Sequence, residues 1–551
     1  MSLTKNNHSN DQELSNISKK EWVLLMGFMA LAFIIRLFFL RYEYVLSPDG
    51  VYYAILGKNL ISGNLKDGLS TYWPPLYPLL IGISSFIFQD LEFSGRFTSV
   101  LAGSLLVIPV YLLIRNFHGK DVASLGTILI IVYPSLISYS TKVATESTYT
   151  LFLMIGILVG WYALSKGNTY TFLLPGLVFG ACYLIRPEAI GYMGLMMLLT
   201  ISTGLIRKPL TFKRILLNNI VLISGFVILA LPYILYIHQE TGKWTISEKF
   251  SANFGSVSLF TLSEDKSTTL ADRLYAGSHS IDEHSDSGLK LNPSESINLN
   301  LSEIMINSIK GLKYNYEAAI PKTFPIFFII LSAIGLFRTG WLQERASREV
   351  YLLLFFISTI IGYSVTEPNP RYLVPQLPIL IYWAANGIVE LENWFIETFK
   401  HLKRISLVKD RRIIRAFIVA VVLFTLMPGI TYPMRGNKLD QPIEQKQAAL
   451  WIKEHAHSRP LIMSTGPWAA FYSGGEHLYL PDEEYSVVIE YARRKNVNYI
   501  VIDERLIPQK RSRLQFLLDR ESQHPELKLV YRYDKIPDNK ILVFELVDLQ
   551  D

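Results

Sequence analysis

Asp49, in the run Ser47-Pro48-Asp49-Gly50-Val51-Tyr52-Tyr53, opens a series of acidic and arginine residues that continues through Glu146, Arg186, Glu188, Glu367 and Arg371. Carboxylates accept protons in general-base chemistry, and guanidiniums hold phosphate or carboxylate with two parallel hydrogen bonds. Each of these charges stands at the end of an apolar stretch. At the centre of a bilayer, a carboxylate or guanidinium would cost at least about 2.5 to 3.5 kcal/mol. Counting the stretches between them puts all of the charges on one side of a membrane, and a shared face of that kind marks a site.

About eleven apolar stretches, most of them near the roughly 20 residues a helix needs to cross hydrocarbon, must position these groups. They run from Trp22 to Leu40, Phe93 to Ile114, Val122 to Tyr139, Ser147 to Leu164, Phe172 to Ile185, Ala189 to Ile206, Ile215 to Ile237, Pro321 to Phe337, Val350 to Val365, Tyr372 to Leu391 and Ile413 to Tyr432. Arg36 is the one clear charge inside a span, near enough to its outer end to snorkel. The apolar segment after Pro74-Pro75-Leu76-Tyr77-Pro78 is only half a membrane thick and is laid on or partly into the outer surface. Before it, Tyr52, Ala54, Ile55, Leu56 and Leu60 fit a short amphipathic helix on the interface.

At 551 residues, 50% hydrophobic, with a mean hydropathy of +0.26, the chain is too long and too apolar for one soluble domain. The fold expected is mainly α, a polytopic helical membrane domain followed by a soluble α/β domain. A net charge of +6 does not point to nucleic acid, because the basic residues concentrate in short loops. With a cytoplasmic amino terminus those loops, from Arg115 and Lys120 to the run Lys400 to Arg415, all face the cytoplasm, where the last would meet anionic lipids. Cys182 is the only cysteine, which excludes an internal disulfide. The first span follows a polar tail without a signal-peptidase pattern and reads as retained.

The domains expected are a cytoplasmic tail, 1–21; a transmembrane domain, 22–432, with outer loops 42–92 and 238–320; and an extracytoplasmic α/β domain, 433–551. In the second loop the polar stretch Ser263 to Ser302 cannot bury a core and would stay mobile. In the last domain a helix is expected over Ile443 to His455 and another over Glu484 to Lys495. Strands are expected at Leu461 to Ser464, Tyr499 to Ile502, Leu527 to Tyr533 and Ile541 to Leu546.

In order, spacing and common side, the motifs resemble the membrane glycosyltransferases of the GT-C type, the group containing protein O-mannosyltransferases, the aminoarabinose transferase of lipid A and rhizobial lipopolysaccharide sugar transferases. The resemblance rests on Pro48-Asp49-x-x-Tyr52-Tyr53 with Gly63, Pro74-Pro75-Leu76, Pro134 with Glu146, Arg186-Pro187-Glu188, and Arg371-Tyr372-Leu373-x-Pro375. It implies a sugar donor on polyprenyl phosphate at the outer face of the cell membrane and transfer with inversion to a hydroxyl of a glycan, lipid or protein acceptor. It assigns Asp49 as base and Glu146 as the second acidic position, and offers Arg371, Arg186 or Lys58 for the leaving phosphate. Tyr72 and Trp73 would stack on a sugar, with Glu188 and Tyr372 completing the substrate site. Two departures stand out: the aminoarabinose enzymes have a lysine before the paired prolines and an acid after the aspartate, where this chain has Trp73 and Gly50. Without that second carboxylate a divalent ion would need distant ligands such as Glu146, and no cofactor is expected.

Each residue also has a plainer role. Pro48-Asp49-Gly50 is a good turn, Arg371 could anchor on Glu367, Arg186 could pair with Glu188, and Glu146 suits a helix N-terminus. Aromatics such as Tyr72 and Trp73 are common at any membrane interface. A transferase of another group, phosphoethanolamine or acyl, is a second enzyme alternative. Outside enzymes, the alternatives are a transporter or flippase of lipid-linked sugars, or a receptor whose outer domain binds a partner.

Overall fold

The computed structural model describes residues 17–207, 210–248, 301–365, 369–399, 411–435, 440–456, 459–519 and 524–547. Glu367, residues 400–410 of the basic run and nearly all of the polar stretch 263–302 lie outside the described residues. Among those described, eight helices are long and apolar enough to cross a membrane: Lys19–Tyr42, Leu91–His118, Thr145–Lys166, Ala189–Ile206, Phe212–Thr241, Glu344–Val365, Pro370–Thr398 and Arg411–Thr431. Two bent pairs bring the number to ten. The chain is an integral membrane protein.

Both bends correct the expected spans. Val122 to Tyr139 is broken by 53° between Lys120–Val132 and Pro134–Thr141, because Pro134 has no N–H to give to the preceding turn and holds Tyr133 extended (φ −68°, ψ 122°). Pro321 to Phe337 is not one span either. The chain is already helical from Leu301, and it turns by 97° between Ser308–Thr323 and Ile326–Phe337. The last part of the expected outer loop 238–320 is therefore helix, packed along Gln343–Val365. The expected fifth span is a helix over Thr169–Tyr183, too short to cross by itself.

Arg36 does not snorkel. It is fully buried, with Nε donating to Ser140 Oγ (3.2 Å) and Nη1 to the carbonyl of Ala32 (3.2 Å). Only the absence of a side chain at Gly103 leaves room for this pair, since a Cβ there would meet both Ser140 Oγ and Arg36 Nε.

Two short helices, Pro48–Ile61 and Leu76–Phe88, lie at the end of the bundle that carries the carboxy-terminal unit. The first is not an amphipathic helix on the interface. Val51, Tyr52, Tyr53, Ala54 and Leu56 are all buried, on more than one face, because protein rather than lipid encloses it. The two helices touch backbone to backbone. A Cβ at Gly57 would overlap the Pro78 carbonyl oxygen, and one at Gly82 the carbonyl of Gly57. Gly63, at φ +80°, turns the chain out of the first helix.

The carboxy-terminal unit is a mixed sheet of order β2-β1-β3-β5-β4, built from β1 (Leu461–Ser464), β2 (Glu476–Tyr479), β3 (Tyr499–Asp503), β4 (Leu527–Tyr533) and β5 (Ile541–Leu546). The first three strands run parallel, while β5 is antiparallel to β3 and β4. Alternation along β3 sorts the core. Ile500 and Ile502 pack with Val488, Ile489 and Ala492 of the helix Tyr485–Arg494, and Val501 packs with Ala448 and Ile452 of the helix Ile443–His455. Strand β2, Glu-His-Leu-Tyr, was not anticipated because it has no β-branched residue.

The helix contact gives a direct test. Gly82→Val should push Pro48–Ile61 away from Leu76–Phe88 and lower stability by roughly 1 to 3 kcal/mol, read as a fall in the thermal midpoint of the detergent-solubilised protein. An unchanged midpoint would mean that the helices are not in contact.

Candidate active site

Asp49 occupies the first turn of Pro48–Ile61, where a negative charge faces the positive end of the helix. Ser47 caps that helix by accepting from the Gly50 N–H (3.2 Å), and Pro48 supplies a first helical residue that has no N–H to satisfy. The same Ser47 hydroxyl donates to the carbonyl of Val143 (3.4 Å), and Gly50 is pressed so close to that carbonyl that a Cβ would lie 2.8 Å from it. The start of one helix is thus fixed against the turn that begins another, Thr145–Lys166. Glu146 sits in the first turn of that second helix and is fully buried.

Arg371 lies in the tight turn Pro370–Gln376, held by its own N–H donating to Asn369 Oδ1 (3.1 Å) and by Thr323 Oγ1 donating to the Pro370 carbonyl (3.1 Å). Its Nε donates to Glu146 Oε1 at 2.7 Å, whereas Nη2 and Nη1 reach Asp49 Oδ2 only at 3.4 and 3.5 Å. The grip on Glu146 is firm and that on Asp49 is loose. Asp49 and Arg371 keep about a third of their side-chain surface exposed, and Glu146 none.

Arg186, also buried, approaches Glu146 Oε1 from another side (3.6 Å) and donates to Glu188 Oε1 (3.2 Å). Its guanidinium lies 4.8 Å from the ring centre of Tyr372 and 5.4 Å from that of Tyr149, in the range where a cation is drawn to an aromatic ring. Tyr372 in turn stacks on Tyr363 at 4.7 Å. Four distant segments thus meet around one carboxylate. The expected pairing of Arg186 with Glu188 exists, but as an arm of this network.

The structure brings together Asp49, Glu146, Arg186, Glu188, Arg371 and Tyr372 through a chain of direct contacts. Lys58 is exposed about two and a half turns along the helix from Asp49 and, at 100° per residue, on its opposite side. Trp73 stacks face to face on Tyr52 at 4.5 Å, and Tyr72 meets Trp73 edge-on at 4.8 Å. The Tyr52 hydroxyl contacts the hydroxyl of Tyr479 and, at 3.4 Å, His477 Nδ1, so these aromatics form a seam with β2. Among the described residues no group of three or more His, Cys, Asp or Glu is placed to hold a metal ion. Tyr149 and Tyr363 were not anticipated. Tyr149, three residues after Glu146, shares its helix face and was findable; Tyr363 lies in an apolar run with no signal of its own.

Two measurements follow from these contacts. Glu146→Ala leaves two guanidiniums without their shared carboxylate and should cost about 3 to 5 kcal/mol, with Glu146→Gln costing less, both read from thermal midpoints. At the seam, burial pushes the His477 imidazole down to about 4, so its contribution to stability is complete above its usual value of 6.5 and is lost as pH falls towards 4. His477→Gln should remove that part of the acid-side loss of thermal midpoint; an unaltered pH profile would place the effect elsewhere.

Residues 73–236 match the family described as dolichyl-phosphate-mannose-protein mannosyltransferase. No functionally curated protein matches the chain in sequence. In fold, the chain is similar to ArnT from Cupriavidus metallidurans bound to undecaprenyl phosphate, at 13% identity and a TM-score of 0.55, over 97% of this chain and 100% of that one. It is also similar to the archaeal oligosaccharyltransferase AglB from Archaeoglobus fulgidus in complex with an inhibitory peptide and a dolichol-phosphate, at 13% identity and a TM-score of 0.53, over 89% of this chain and 70% of that one. At such identities the likeness to the solved structures is one of fold. Residues 73–236 carry the likeness to the mannosyltransferase family, and the chain as a whole shares the fold of these two solved structures.

Proposed function

We propose that the protein transfers a sugar, hexosyl or pentosyl, from a polyprenyl-phosphate donor to a hydroxyl of a cell-envelope glycan, lipid or protein on the outer face of the membrane, with inversion. The observation that carries this reading is the sharing of Arg371 between the buried Glu146 and the part-exposed Asp49. In one displacement the acceptor oxygen bonds to the anomeric carbon as the bond from that carbon to phosphate oxygen breaks. Asp49 takes the hydroxyl proton, and the polyprenyl phosphate leaves with the charge it gains. A fixed cation is needed where that charge appears. Arg371 suits the task because Glu146 anchors its Nε while its two outer nitrogens hold Asp49 only weakly. A phosphate that captures those nitrogens frees the aspartate for the acceptor. Arg186 acts from behind, by holding Glu146 in place.

Two solved structures of this fold hold undecaprenyl phosphate or a dolichol-phosphate, which supports a donor on a lipid phosphate. Orientation is argued from charge. The helix that begins beside Glu146 ends at Lys166, the one that begins near Arg345 and Arg348 ends beside Tyr363, and the one that begins at Arg411 runs towards the carboxy-terminal unit. Basic residues thus collect at the end opposite the site. By the positive-inside rule that end is cytoplasmic, and Asp49 with the carboxy-terminal unit is extracytoplasmic.

Asp49→Asn in lipid nanodiscs, assayed with polyprenyl-phosphate sugars and envelope acceptors, should lower kcat by about 10²- to 10⁴-fold while the protein stays folded. Unchanged turnover in that variant would end the assignment of Asp49 as base.

A further inference from the structure

Between the first membrane helix and Pro48–Ile61 the chain crosses a strap, Tyr42 to Leu46, that belongs to no helix or strand over most of its length. Val45 and Leu46 are nonetheless buried, so the backbone polar groups here need partners. The carboxy-terminal unit supplies most of them from side chains. Gln441 Oε1 accepts from the N–H groups of Tyr44 (2.7 Å) and Val45 (3.1 Å), and Gln441 Nε2 donates to the Tyr42 carbonyl (2.9 Å). Lys446 Nζ donates to the carbonyl of Tyr44 (3.1 Å). Trp468 Nε1 donates to the Leu46 carbonyl (2.7 Å), and the Tyr472 hydroxyl accepts from the Leu46 N–H (2.9 Å). The membrane domain adds two bonds, from Arg96 Nη1 to the Glu43 carbonyl (2.8 Å) and from the Glu43 N–H to the Leu40 carbonyl (3.1 Å).

Here one unit grips the main chain of the other at Tyr42, Tyr44, Val45 and Leu46, and the next residue is Ser47. That residue caps the helix of Asp49 and bonds the carbonyl of Val143, three residues before Glu146. A strap fixed in this way sets where the helix begins, and with it the distance from the Asp49 carboxylate to the guanidinium of Arg371.

We infer that the carboxy-terminal unit is a positioning device for the reaction, in which Gln441, Trp468 and Tyr472 hold the strap Tyr42 to Leu46 so that Asp49 is presented at its working distance. The inference rests on the assignment of Asp49 as base. None of the three residues touches the reacting atoms, so each is a positioning residue, and what it controls is kcat. A shift of about 1 Å in a reacting group costs on the order of 100-fold in rate, and the strap is two residues from the helix that carries the carboxylate.

Tyr472→Phe keeps its ring and loses one O–H, whereas Trp468→Phe loses the indole N–H together with the five-membered ring and leaves a small cavity. The double variant should lower kcat by about 10- to 100-fold with donor KM unchanged. Amide exchange at Leu46 should quicken, and kcat per folded molecule should fall beyond what the lowered thermal midpoint accounts for. Gln441→Ala should lower kcat in the same way, and Gln441→Glu, which keeps the acceptor for Tyr44 and Val45 but loses the donor to Tyr42, should recover part of it. Full kcat in these variants, alongside an inactive Asp49→Asn control, overturns the positioning role and leaves the base in place. Activity that falls only in proportion to the folded fraction also overturns it. Turnover that survives Asp49→Asn overturns the base and the positioning role together.

Discussion

A carboxylate with no access to water is the constraint around which this end of the molecule is organised. Glu146 is fully buried at the start of a membrane helix, where ionisation is affordable only beside fixed positive charge. That charge comes from two places far away in the chain, Arg186 in the turn between two short-looped helices and Arg371 in a tight turn before another. Because both guanidiniums converge on one oxygen, three helix ends are tied together at a single point. The helix dipole at the first turn of Thr145–Lys166 adds a smaller contribution of the same sign.

The arrangement separates holding from acting. Glu146 takes the short bond from Arg371 and keeps that side chain oriented, while the outward nitrogens remain only loosely engaged with Asp49. Burial thus converts one acid into a structural anchor and leaves the part-exposed one available to a ligand. Aromatic rings complete the surroundings of Arg186, where Tyr372 and Tyr149 offer their faces in place of water.

Much of this was legible in the chain, for identifiable reasons. Long apolar runs announce helices because hydrocarbon leaves no other way to satisfy the backbone, and charges at their ends announce a shared face. Asp49, Glu146, Arg186, Glu188 and Arg371 could be named together on those grounds, and Tyr372 through the resemblance alone. What the residues did not disclose is set by tertiary contacts. Lys58, the third candidate after Arg371 and Arg186, is turned away by helix phase, and one face of Trp73 is taken by Tyr52. The bend at Phe324-Pro325 was hidden because the residues after it continue an apolar run, so hydropathy alone saw one span. Strand β2 is polar and short, and only its neighbour β1 makes it a strand.

Arg36 has a consequence for how the protein is made. Its hydroxyl partner, Ser140, lies 104 residues further along the chain and belongs to the bent third span. The first helix therefore leaves the ribosome carrying a guanidinium whose one partner so far is the Ala32 carbonyl of its own helix. Entry into lipid in that state is penalised by roughly 2.5 to 3.5 kcal/mol, to be recovered only when the later helix arrives. The contact that buries this charge in the finished protein can therefore form only once the third span has been synthesised.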